Sequence, residues 1–327
     1  MESGWWYKLL SQNGEAMARR GAALRLKSRM GFALIVLLGV WVISWQGCAP
    51  EPSQNKEPKI AATIFPLYDI TRNVVGEKFE TLVILPPGGS PHTYDLSPQQ
   101  AMRLEAVALV FAIGHGLDDW TASVIEVAPR AKKVIVDKDM ELKTFAENHD
   151  EGVEHAHEGV NPHYWLSITN AKIIAGNVAE EMISFDPQNE AYYRENLEQY
   201  RRELDVLKEE IQARLSGLER REMIVFHDSW QYYADEFGLQ IVAAFEPSPG
   251  KPPTPKHLAE LHEAVETYTI RSVFSEPQLS KTTIEQFVSD LGLTLFVLDP
   301  IGGVGEVDSY VKLMRYNTET IAEALSQ

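Results

Sequence analysis

A single cysteine, Cys48, in 327 residues removes any intrachain disulfide from consideration. The chain is also short of basic side chains: 30 Lys/Arg face 47 Asp/Glu, a formal net charge of -17. Residues 1–47 hold six of those bases and two of the acids, so the remainder carries 24 basic side chains against 45 acidic ones. A field of that sign repels nucleic-acid phosphate and anionic membrane surfaces and concentrates cations. Nucleic acid is therefore excluded as a partner. Catalytic signatures are missing too: there is no His-Glu-x-x-His, no Gly-x-Ser-x-Gly elbow and no phosphate-cradling glycine loop. What survives of an enzymatic reading is a secreted zinc hydrolase with Glu276 as general base beside a metal-bound water. It is a weak rival, and the expectation is that the chain is not an enzyme.

The basic residues gather at the N-terminus. Arg19, Arg20, Arg25, Lys27 and Arg29 precede an apolar run from Met30 to Trp45, which ends at Gly47-Cys48 and an Ala/Pro/Ser/Asn-rich stretch reaching Pro58. That order reads as an export signal over 1–47 and a flexible linker over 48–58. Cys48 follows a small residue at the end of the run and is expected to carry lipid, as in a bacterial lipobox, although Trp45 and Gln46 stand where that motif has Leu and a small residue. An uncleaved anchor helix is the alternative, but the run is shorter than the roughly 20 residues a span requires. The long basic region makes Met17 an alternative start. The expected location is the periplasm or the outer face of the cytoplasmic membrane, tethered through Cys48.

With 44% hydrophobic residues the chain can bury a large core, and its length suits about two domains. Strand-like apolar runs fall at Ile60–Ile64, Thr81–Leu85, Ala108–Ile113 and Lys133–Val136, then at Met223–Phe226, Gln240–Ala244, Ser272–Phe274 and Thr294–Leu298. Helix-like segments separate them, opened by cap-like Ser97-Pro98, Asp228, Thr254-Pro255 and Ser280. The class is α/β: two lobes, residues 59–186 and 217–327, each a central mostly parallel sheet flanked by helices. Residues 187–216 join them as one long helix, with Tyr193, Leu197, Tyr200, Leu204, Leu207, Ile211 and Leu215 on one face at spacings of three and four. At a rise of 1.5 Å per residue such a helix is about 40 Å long, a stiff strut. A coiled-coil dimer seam is the alternative use of that face; a monomer is expected.

Three histidines stand in distinctive settings: Ser90-Pro91-His92-Thr93-Tyr94, Asn161-Pro162-His163-Tyr164-Trp165 and His227-Asp228-Ser229-Trp230. His92 follows a strand and a stiff turn devoid of apolar residues, so a core role explains it poorly. His163 alone reads better as a packed imidazole beside Trp165. His227 ends an apolar run, where open α/β sheets gather ligands. Together they do better than singly. Imidazole suits Zn²⁺, and three imidazoles with one carboxylate close a four-coordinate shell that stores metal rather than catalysing. Asp299 or Glu276, each just past a strand, can supply the carboxylate; Asp299 is preferred, and either can instead orient a ligand imidazole. A loop holding His149, His155 and His157 among carboxylates reads as a second, weaker metal site or a solvated polar loop. His115 lies near the crevice, while His257 and His262 sit on an expected surface helix.

Pro91-His92-Thr93-Tyr94-Asp95-Leu96-Ser97-Pro98, Asn161-Pro162-His163-Tyr164-Trp165-Leu166, His227-Asp228-Ser229-Trp230, Glu276-Pro277-Gln278 and Leu298-Asp299-Pro300-Ile301-Gly302-Gly303 resemble, in order and spacing, the zinc/manganese (cluster A-I) substrate-binding lipoproteins of ABC importers. The resemblance covers nearly everything after Lys59. It implies two α/β lobes joined by a long helix, with the metal at their interface, and a membrane permease with a separate ATPase subunit as partners. It implies coordination by His92, His163, His227 and Asp299, and the zinc branch, since manganese members more often carry Glu at the third position. Its alternatives are a Mn²⁺-specific homologue or an adhesin of the same fold. The chain departs from the pattern at Asn161, where Asp is usual.

Overall fold

The computed structural model describes residues 58–145, 159–246, 251–278 and 282–327. The expected export signal, Cys48 and all but the last residue of the expected linker 48–58 lie outside the described residues, as do His149, His155 and His157. Glu57–Gln327 forms a compact body built on two four-stranded parallel sheets. The first contains β1 (Lys59–Ala62), β2 (Thr81–Val83), β3 (Val107–Ala112) and β4 (Lys132–Ile135) in the order β2-β1-β3-β4. The second contains β5 (Glu222–Val225), β6 (Gln240–Ala244), β7 (Ser272–Ser275) and β8 (Thr294–Val297) in the order β6-β5-β7-β8. Every strand lies on one of the eight apolar runs. Helices cover parallel sheets, so their strands read as unbroken apolar stretches rather than as alternating ones. Both sheets share one strand order although the sequence shows no convincing repeat.

The first lobe also holds α1 (Phe65–Val75), α2 (Pro98–Leu104), α3 (Thr121–Val127) and α4 (Ile168–Phe185). After α5 (Glu190–Ser216) come α6 (Gln231–Phe237), α7 (Pro255–Thr267), α8 (Thr282–Leu291) and α9 (Tyr310–Leu325). Caps set their starts. Ser97 and Gln100 form a reciprocal capping box at α2, and the hydroxyls of Ser167, Thr254 and Ser309 accept from backbone N–H groups of α4, α7 and α9. Asp228 departs from expectation. Ser229 N folds back to His227 O at 2.8 Å, so the chain turns once more before α6 begins. The Asp228 carboxylate instead accepts from the Gln231 side chain at 2.6 Å. Ser280, the remaining expected cap, is outside the described residues, and α8 begins at Thr282.

The strut is α5, and its seven spaced apolar residues are its buried ones. They pack against α1 and α4 of the first lobe and α9 of the second, each contributing ~1.5–3 kcal/mol on full burial. One apolar cluster runs from Ile60 through this helix to Leu325, so the lobes share a core. Polar bonds cross between them as well. Trp165 Nε1 donates to Pro300 O (2.8 Å), Tyr310 Oη donates to Trp165 O (2.7 Å) and Tyr310 N donates to buried Asp69 (2.8 Å). At Gly303, φ is +78° and a Cβ would lie 2.8 Å from the Phe65 ring, so only glycine lets this loop of the second lobe close on α1. No helix among the described residues is long and apolar enough to cross a membrane.

Candidate metal centre

The strand order reverses between β1 and β3 and again between β5 and β7. Ligands of open α/β sheets bind outside the carboxyl ends near such points. His227 lies two residues past β5 and Glu276 directly follows β7, the neighbouring strand. Their nearness is thus built into the topology: Glu276 Oε1 is 2.8 Å from His227 Nδ1, and Ser229 Oγ donates to the same oxygen at 3.2 Å. His92 arrives on the loop after β2, held where Trp120 Nε1 donates to Pro91 O at 3.1 Å. The Tyr94 ring meets Trp120 edge-on at 4.6 Å. His163 sits at the mouth of the 3₁₀ turn Tyr164–Leu166, its backbone N–H and Nδ1 both directed at Asn161 Oδ1 (3.1 and 2.8 Å).

These elements bring the three imidazoles together. One ligand nitrogen from each of His92, His163 and His227 lies within 4.8 Å of the others, the only such group of metal-capable side chains among the described residues. His163 Nε2 is 3.4 Å from His92 Nε2 and 3.3 Å from His227 Nε2. Ligands at tetrahedral corners stand about 1.63 bond lengths apart, which for Zn–N bonds of 2.0–2.1 Å is about 3.3–3.4 Å. His163 and His227 are buried, 2% and 3% exposed, whereas His92 is half-buried. The His163 imidazole is engaged at Nδ1 and that of His227 has Nδ1 2.8 Å from the Glu276 carboxylate, which leaves each Nε2 to face the cluster.

Neither carboxylate candidate joins this group. Glu276 is occupied with His227. Asp299, two residues past β8, accepts at Oδ1 from Gln278 Nε2 (2.7 Å), Ile301 N (3.0 Å) and Gly302 N (3.0 Å). Its backbone is gripped on both sides by the Asn317 amide. Burial opposes a charge on His227, yet the Glu276 carboxylate, aided by Asp228 and Glu246, outweighs it and lifts the imidazole above its ordinary range. Burial also pushes Asp228 up to about 6, against the pull of His227 and Gln231.

The other histidines stand apart. His115 Nε2 pairs with Asp137 at 2.7 Å, and His262 is half-exposed. His257 was expected to be solvated; its Nε2 instead lies 2.9 Å from Ala244 O, and the side chain is 18% exposed. The Asn161 amide, read in the sequence only as a departure, proves to be a contact of His163. The signal for it was present: an Asn two residues before a histidine, across a proline, commonly turns its side-chain oxygen onto the later backbone N–H.

The family model described as zinc-uptake complex component A, periplasmic, matches residues 60–324. A manganese ABC transporter substrate-binding lipoprotein, PsaA, of Streptococcus anginosus is 26% identical over 315 residues, covering 91% of this chain and 99% of the relative. The high-affinity zinc uptake system protein ZnuA of Brucella suis is 27% identical over 306 residues, covering 82% of this chain and 92% of that one. Among solved structures, a crystal structure of ZnuA superposes with a TM-score of 0.73 at 27% identity, covering 82% of this chain and 99% of the other.

Proposed function

The chain belongs to the family of zinc-uptake complex component A, matched over residues 60–324, and from that premise we propose that it captures Zn²⁺ outside the cytoplasmic membrane and delivers it to an ABC importer. The observation that carries the metal is the spacing of the three Nε2 atoms, 3.3 and 3.4 Å along two edges, which suits tetrahedral Zn–N geometry. His92, His163 and His227 hold the ion in this reading. Asp299 is the fourth ligand through Oδ2, its Oδ1 being taken by three donors, while Glu276 orients His227. A nitrogen-rich set favours zinc over manganese, which suits oxygen ligands. A closed shell leaves no place for a reactive water, so the role is carriage rather than catalysis.

A permease powered by a separate ATPase subunit receives the ion, and lipid on Cys48 tethers the carrier to the membrane. The apolar face of α5 is buried within the chain, which leaves no coiled-coil seam and supports a monomer. The shared core resists wide lobe closure. Movement falls to the His92 loop, where Gly88 has φ +77° and open space around it. His149, His155 and His157 add a weaker capture site.

Competition dialysis of metal-free protein against equimolar Zn²⁺ and Mn²⁺ tests the reading. One zinc per chain is expected at neutral pH, with little manganese. Metal requires neutral imidazoles, and a raised value on His227 means that protons compete from above its ordinary 6.5. Zinc affinity is therefore full at alkaline pH and falls as pH drops through that raised value. Retention of manganese in preference to zinc, or affinity independent of pH, would overturn the assignment.

A further inference from the structure

We propose that Asn161 is a positioning residue with two simultaneous tasks: it holds His163 with the Nε2 lone pair toward the metal, and it ties that histidine to the turn carrying His227. This rests on the zinc reading above. Asn161 is fully buried, and every polar atom it has is engaged. Nδ2 donates to Asp228 O at 2.8 Å and to Gln231 Oε1 at 3.3 Å. Oδ1 accepts from His163 N and faces His163 Nδ1. Its backbone N donates to Lys143 O at 2.7 Å, and its backbone O accepts from Tyr232 Oη at 2.8 Å.

The polarity of this chain of bonds is fixed from the far end. A backbone carbonyl only accepts, so the Asn161 NH₂ must face Asp228 O. The second amide proton meets Gln231 Oε1, whose own orientation is set by Gln231 Nε2 donating to Asp228 Oδ2 at 2.6 Å. Asn161 Oδ1 is thereby turned to His163 and can only accept there, so Nδ1 must carry the proton. Nε2, 3.3 Å from His227 Nε2, is then the bare nitrogen that a metal requires. An aspartate would satisfy His163 equally but would offer no proton to Asp228 O or Gln231 Oε1. The amide is what joins the first lobe's ligand to the second lobe's turn.

The test combines ¹⁵N NMR of the imidazoles in metal-free protein with zinc affinity measured against a chelator, for Asn161→Asp, Asn161→Leu, Gln231→Leu and the Asn161→Asp/Gln231→Leu pair. His163 is expected as the Nδ1–H tautomer in the parent and in Asn161→Asp, with that bias lost in Asn161→Leu. Zinc affinity is expected to fall about 10-fold in Asn161→Asp and up to about 100-fold in Asn161→Leu, the range for groups that orient metal ligands. Gln231 bonds to Asn161 and Asp228; Gln231→Leu is expected to weaken binding in the parent but to add little to Asn161→Asp. If Asn161→Leu does not fold, the zinc affinity of Asn161→Asp and its coupling to Gln231→Leu still decide. An unchanged zinc affinity in Asn161→Asp, an unchanged tautomer in a folded Asn161→Leu, or fully additive Gln231 and Asn161 effects overturn the inference while leaving zinc binding intact. A parent chain without affinity for zinc overturns the metal reading instead.

Discussion

Replacing His163 by alanine is expected to weaken zinc binding by about two orders of magnitude. Structural zinc sites bind with ~10–16 kcal/mol, so one ligand of four accounts for roughly 3 kcal/mol, or about 100-fold in affinity. The loss should not fall below that. His163 lies 2% exposed between the other two imidazoles, so a water entering in its place meets a crowded site. Asn161 Oδ1 also loses its ring partner and keeps only the backbone N–H of residue 163. Isothermal titration of His163→Ala beside His262→Ala, whose ring is half-exposed and 3.9 Å from Glu266, separates ligation from a general loss of imidazole. Affinity within threefold of the parent in His163→Ala would remove it from the shell.

Trp165→Ala is expected to be the most destabilising single change near the site. The side chain is fully buried, its ring centroid is 5.2 Å from that of His163, and Nε1 donates across the lobes to Pro300 O. Truncating a buried tryptophan costs ~3–5 kcal/mol, and leaving the Pro300 carbonyl without its donor adds ~1–3 kcal/mol. Urea unfolding should show the midpoint falling at unchanged m-value, by at least ~4 kcal/mol in all. Trp165→Phe keeps most of the packing and should lose only the hydrogen-bond part. A cost under ~1 kcal/mol in Trp165→Ala would mean that the lobes are not joined through this residue.

The sheets were legible because buried parallel strands leave unbroken apolar runs, and Met223 to Phe226 shows it as plainly as Gln240 to Ala244. The strut was legible because spacing of three and four over Tyr193 to Leu215 admits no other regular structure. Local signals went wrong where two of them competed. Asp228 has the chemistry of a cap, but the tight turn at His227–Ser229 moved the helix start to Gln231. Sequence preferred Asp299 to Glu276 as the carboxylate but could not foresee that Glu276 meets His227, since both acids end strands of one sheet. The difference lies in sheet order, which sets β7 beside β5 and so Glu276 beside His227. The bond from Asn161 to Gln231 spans 70 positions and depends on how two lobes dock, which no local pattern records.

Anomalous diffraction at the zinc edge, from crystals of zinc-loaded protein, tests the metal assignment most directly. The expected result is a strong peak about 2.0–2.1 Å from Nε2 of each of His92, His163 and His227, with Asp299 Oδ2 at the fourth corner. A peak elsewhere with this cluster empty, or an ion held through Nδ1 of His163 or His227, would contradict it.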